Sequence, residues 1–135
     1  ATLSPLIVGG MLRKDMKYDG VIVSDDLEMG AITRHWPAGK AAVLAAQAGC
    51  DLLPVCKTAD AQVASIEAVI RAVEAEEIST KAMDDAEARI RALKERFTLP
   101  YRDPDPREAR RVAGLGEHRS LAEEIGSRSG LPARA

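Results

Sequence analysis

The chain has 135 residues, one ordinary domain at most. With 46% hydrophobic and 30% charged residues, it has the composition of a globular protein and not of a disordered one. Its formal net charge of −2, with Lys and Arg scattered along the chain, gives no electrostatic footprint for nucleic acid or acidic lipid, and no apolar run approaches membrane-spanning length.

The first ten residues, ATLSPLIVGG, contain no charged stretch ahead of an apolar core, so they do not read as a signal peptide. There is no initiator Met, and the chain is expected to begin inside a longer protein. Ser4-Pro5 opens a helix, Ser as N-cap and Pro at the first helical position. Leu6, Ile7, Met11 and Leu12 form its expected apolar stripe, weakened by Gly9 and Gly10. Arg13, Lys14, Asp15 and Lys17 make a mostly basic end, and Tyr18-Asp19-Gly20 is a turn.

Val21-Ile22-Val23 is apolar, β-branched and without alternation, the pattern of a strand buried on both faces of a parallel sheet. It runs into Ser24-Asp25-Asp26. Residues 37–48 are Ala-rich and helix-prone, with Gly49 placed to stop the helix. Residues 51–56 predict a second buried strand, made irregular by Pro54. Val63, Ile66, Ile70 and Val73 predict an amphipathic helix. Ser79 or Thr80 caps another, with Met83, Ala86, Ile90, Leu93 and Phe97 on one stripe. Residues 100–116 hold three of the seven prolines and predict a linker. Residues 117–127 give a short helix with Leu121 and Ile125 on one face. The alternation of helix and strand argues for an α/β protein with parallel strands, although two strands are too few for an independent sheet.

Cys50 and Cys56 lie across the second expected strand, too far apart for a disulfide, and both are expected as free, buried thiols. Glu67, Glu74, Glu76, Glu77 and Glu87 read as solvated charge. No metal-ligand spacing appears, and Gly9-Gly10 follows no strand as a phosphate loop would.

The chemistry concentrates at residues 24–29. A carboxylate at the C-terminal end of a parallel strand is held rigidly and still reaches an open cleft, which suits a nucleophile or a metal ligand. Asp25-x-x-Glu28 also fits a helix start with Asp as N-cap, and spacing alone favours that reading. A paired-Asp metal site is a third reading, but it needs further acidic ligands at strand exits, and Asp51 stands at the entry of its strand.

Tyr18 through Ile32, YDGVIVSDDLEMGAI, resembles the nucleophile segment of family 3 glycoside hydrolases, most closely their β-N-acetylhexosaminidase branch. Residues 48–56, AGCDLLPVC, resemble the eighth barrel strand, with Pro54 where many relatives have Leu or Met. Residues 78–94 resemble the helix that closes the barrel, and residues 118–129 the entry into a second domain. Residues 130–135 depart from the family.

The resemblance implies the C-terminal part of a (β/α)8 TIM barrel, about two βα units, over residues 1–99, then a linker over 100–116 and the truncated start of a second domain over 117–135. It implies Asp25 as the nucleophile of a retaining hydrolase, with Asp26 and Met29 as substrate contacts, Asp26 being mainly supportive. The implied substrate is a terminal β-linked N-acetylhexosamine, in oligosaccharides such as muropeptides or chitin-like chains, and no cofactor or metal is implied. This branch is understood to use a loop His, oriented by an Asp, as general acid and base; that loop and the Lys-His sugar-binding motif lie upstream of these residues. His35 and His118 match neither. The expectation is therefore a piece of an enzyme that is inactive alone, in keeping with an aromatic content of 3%, low for a complete sugar-binding protein. Trp36 is expected to pack against the barrel helices. β-Glucosidases and β-xylosidases of the same family are the nearest rivals, and they typically have Trp where this chain has Asp26. A non-catalytic half-barrel used for binding is the other alternative.

Overall fold

The computed structural model describes residues 1–103 and 105–129 and divides into two units, Ala1–Leu99 and Pro100–Ala135. The departure from the family at residues 130–135 lies outside the described residues.

In the first unit, α1 (Leu6–Asp15) is wound more widely than an α-helix, its end closed by the Met16 N–H on the Met11 carbonyl. A Cβ on Gly9 would sit 3.3 Å from the Ala48 carbonyl oxygen, so glycine here permits close approach to the next long helix. The wide winding changes which face is covered. Val8 is the buried residue and Leu12 is partly buried, while Leu6, Ile7 and Met11 of the expected stripe are exposed.

A short turn of helix, α2 (Gly30–Thr33), leads to α3 (Ala38–Ala48), which ends at Gly49 with φ of 107°, a conformation that glycine adopts without strain. Ala41, Ala42, Val43, Ala45 and Ala48 are all buried, so α3 is covered on most sides. α4 (Ala59–Glu74) lies against it so closely that a Cβ on Gly39 would be 2.9 Å from the Ala64 carbonyl oxygen. Such approach selects the small-residue face of α4. Ser65 and Ala72 are buried there, whereas Val63, Ile66 and Ile70 are 55%, 61% and 51% exposed. The expected apolar stripe of α4 is therefore mostly on the surface, with only Val73 of that set partly buried. α5 (Thr80–Phe97) begins as expected, the Ser79 hydroxyl oxygen accepting from the Ala82 N–H at 3.2 Å.

Neither expected strand forms; among the described residues the two segments meet at one parallel bridge, Val23 to Leu52. The reason is local. The Leu52 N–H donates to the Ile22 carbonyl and the Ser24 N–H to the Leu52 carbonyl, as a parallel ladder requires. The next donor in register would be Pro54, which has no N–H. At the other end the Ile22 N–H turns to the Asp51 side chain at 2.7 Å, and Arg13 takes the Gly20 carbonyl at 2.6 Å. Side chains thus close the ladder on one side and proline on the other.

The main core joins Val8, Ile22, Leu27, Ala42, Ala45, Ala48 and Cys50. Cys50 is buried as expected, but Cys56 is exposed; both are free. Trp36 is 41% exposed. No helix among the described residues is long and apolar enough to cross a membrane.

In the second unit, part of the expected linker is helical: α6 (Pro106–Val112) starts at Asp105, whose carboxylate accepts from the Arg107 N–H at 2.8 Å, with Pro at the first helical position. That Asp-Pro pair is itself a helix-start signal. α7 (Gly116–Ser129) follows, with Leu121 and Ile125 exposed.

Candidate active site

Residues 24–29 leave the bridge and turn back over the core. Ser24 is buried and its hydroxyl donates to the Asp25 carbonyl at 2.8 Å. Leu27 is wholly buried and anchors the turn from beneath, and its N–H donates to the Pro54 carbonyl at 3.0 Å. Asp25, between these two anchors, is exposed. A mobile loop would blur the position of a carboxylate; this one is held by main-chain and hydroxyl bonds on either side.

Asp25 caps no helix. α2 is preceded by Met29 and has no side-chain cap. Among the described residues, the one hydrogen bond to the Asp25 carboxylate comes from the neighbouring Asp26 N–H, at 2.8 Å to Oδ1, and Oδ2 has none. Asp25 and Met29 line an open cavity of about 440 Å³, together with Thr2, Ser4 and Ile32. The cap reading, which spacing favoured, does not hold for Asp25.

Asp26 is not part of that cavity's lining. Its Oδ1 accepts from the Glu28 N–H at 3.0 Å and from the Cys56 N–H at 3.2 Å, so the side chain braces the turn. The capping residue is Glu28, and it caps a different helix. Its Oε2 accepts from the N–H groups of Lys57 and Thr58 at 2.6 and 3.0 Å, and its Oε1 from the Thr58 hydroxyl at 2.8 Å, at the start of α4. Desolvation pushes the Glu28 carboxyl up, but the Thr58 hydroxyl, the two N–H groups and the Lys57 charge outweigh it and hold the group below its ordinary value.

Sequence reasoning missed Asp51. Its side chain is 1% exposed and accepts four hydrogen bonds: from the Ile22 N–H, from Arg13, and from Arg89 through Nε and Nη2 at 3.1 and 2.7 Å. It ties α1, the first extended segment and α5 together. Each arginine is 38 residues away in sequence, so no local spacing could have flagged the cluster. Burial, and then the Asp51 charge, pushes the Cys50 thiol up against the opposing pull of Arg13, which makes it a poor nucleophile.

His35 and His118 are both exposed. Among the described residues no group of three or more His, Cys, Asp or Glu side chains could hold a metal ion. The paired-Asp metal reading thus finds no further ligands among the described residues.

Residues 1–93 match the model of the glycosyl hydrolase family 3 N-terminal domain. The chain belongs to glycosyl hydrolase family 3. A β-hexosaminidase from Methylococcus capsulatus is 39% identical over 66 residues, which cover 49% of this chain and 20% of that protein. The structure of a family 3 β-N-acetylglucosaminidase from Paenibacillus sp. str. FPU-7 superposes with a TM-score of 0.72 at 34% identity, over 93% of this chain and 24% of that one. A β-glucoside phosphorylase superposes with a TM-score of 0.75 at 25% identity, over 93% and 22%. This family 3 chain therefore spans about a fifth to a quarter of the length of the relatives it matches.

Proposed function

We propose that this chain carries the nucleophile of a retaining β-N-acetylhexosaminidase, and that the nucleophile is Asp25. The observation that carries the reading is an exposed carboxylate at the exit of a parallel pairing, facing a cavity and capping no helix. In the proposed reaction an Asp25 oxygen attacks the anomeric carbon as the bond to the leaving oxygen breaks, and that oxygen takes a proton from a general acid. Water, deprotonated by the same group, then displaces Asp25 and releases the sugar with its configuration retained. Met29, beside Asp25, is the proposed substrate contact; Asp26 supports the turn.

Residues 1–99 are proposed to supply about two βα units of a (β/α)8 barrel, and the division of the chain at Leu99 supports that boundary. The general acid is proposed to be the upstream loop His of the family. The N-acetylhexosaminidase reading draws on the names of the relatives and on the segment at residues 18–32. The likeness to a β-glucoside phosphorylase favours a second reading, a β-glucoside-processing enzyme. Asp26 stands against it, since those branches typically have Trp there.

The test uses a nitrophenyl β-N-acetylglucosaminide. The 135-residue chain releases no nitrophenol. In a longer chain that includes the upstream His loop, turnover appears, and Asp25→Asn lowers kcat by at least about 10³-fold. Unchanged turnover in Asp25→Asn defeats the nucleophile assignment, and faster turnover of the matching β-glucoside defeats the choice of sugar.

A further inference from the structure

The turn that carries Asp25 lies beyond the reach of the ladder. Pairing stops after Val23 and Leu52 because Pro54 cannot donate, so nothing in the main-chain register dictates the direction of residues 25–29. The turn is nevertheless fixed, and most of the bonds that fix it cross to residues 54–58. The Leu27 N–H reaches the Pro54 carbonyl, Asp26 Oδ1 accepts from Cys56, and the Glu28 carboxylate accepts three bonds from Lys57 and Thr58. Thr58, at the start of α4, makes no side-chain cap of its own; its hydroxyl and N–H both donate to Glu28. An anion is also favoured there by the helix dipole.

We infer that Glu28 is a positioning residue for Asp25, its carboxylate tying the Asp25 turn to the first residues of α4 and so fixing the direction in which the Asp25 side chain leaves the main chain. The inference rests on the reading of Asp25 as nucleophile. Glu28 touches no substrate in this scheme. It acts through three main-chain steps, and its removal leaves Leu27 to hold the turn with help from Asp26 alone.

The first test uses the 135-residue chain. In Glu28→Ala the amides of Leu27, Lys57 and Thr58 exchange roughly tenfold faster or more, and the Asp25 carboxyl carbon signal shifts, while amides inside α3 keep their protection. Glu28→Gln keeps an oxygen for both N–H groups and restores most of that protection. Thr58→Val, which removes only the hydroxyl bond, moves the same signals less, and it serves if Glu28→Ala unfolds. The second test is kinetic, in the longer active chain. Glu28→Ala lowers kcat about 10²-fold with KM within about threefold, and Glu28→Gln recovers most of the loss. An Asp25 signal indifferent to Glu28→Ala overturns the inference, and so does an unchanged kcat alongside loosened amides. Either result leaves the nucleophile reading standing if Asp25→Asn is still inactive. An active Asp25→Asn removes both.

Discussion

Two carboxylates mark the two ends of one short parallel pairing, and they are in opposite states. Asp51, at the entry end, is buried to 1% exposure and its oxygens are filled by four donors. Asp25, at the exit end, is exposed, and among the described residues its single donor is the N–H of its neighbour. Filled lone pairs make a poor nucleophile, and a solvated side chain with one local bond contributes little to stability. The same residue type, set beside similar apolar segments, is thus used once to hold the fold together and once where chemistry can reach it. Position along the strand direction separates the two roles.

The sharpest way to break this comparison is to remove the buried member. Asp51→Ala leaves Arg13 and Arg89 facing each other without their shared anion and strips the Ile22 N–H of its acceptor. Breaking a buried ion pair costs about 3–5 kcal/mol. Arg13 and Arg89 keep 18% and 30% of their side chains in water, which places the expected loss near the low end. A denaturant midpoint that moves by less than the equivalent of about 1 kcal/mol would show Asp51 to be dispensable and the contrast to be empty.

How much of this was legible in sequence follows from the range of each interaction. The resemblance at residues 18–32 could be read because that segment is contiguous, though spacing alone pointed to a helix cap at Asp25; Gly49 and Ser79 act within one helical turn of themselves. The Asp51 cluster could not be read, since its partners lie on helices far apart along the chain. Periodicity also misplaced the buried face of α4. It finds the largest apolar side chains, whereas close packing against the Ala- and Gly-rich α3 selects the smallest. The strands failed for a readable reason: Pro54 was visible all along, and a ladder of two segments cannot lose a donor and extend.

A smaller effect sharpens the comparison through Glu28, which belongs to the exit end yet is bonded like a structural group. Its carboxyl is held below the ordinary value in the fold, chiefly by the Thr58 hydroxyl and the N–H groups of Lys57 and Thr58 acting against desolvation. A folded-state value below the unfolded one adds stability at pH above the unfolded value of 4.5, and that stability is lost as pH falls through the folded value. Asp85 is lowered as well, by the Lys81 hydrogen bond, and acts in the same direction a little lower in pH. Acid titration of stability should therefore fall less steeply below pH 4.5 in Glu28→Gln than in the native chain, with the Asp85 part remaining. Equal slopes would mean that Glu28 keeps no bonds to Lys57 and Thr58 in solution and that the exit end is held by Leu27 and Asp26.

The smallest expected effect on folding belongs to the residue with the largest proposed effect on catalysis. Asp25→Asn keeps an oxygen for the Asp26 N–H and removes a charge that sits in solvent. Its unfolding free energy should stay within about 0.5 kcal/mol of the native value, the range of an ordinary surface substitution. A stability loss like that of Asp51→Ala would place Asp25 among the groups that build the fold, and the loss of activity in Asp25→Asn would then say nothing about a nucleophile. An unchanged melt together with abolished turnover is the one pairing of results that a structural carboxylate cannot produce.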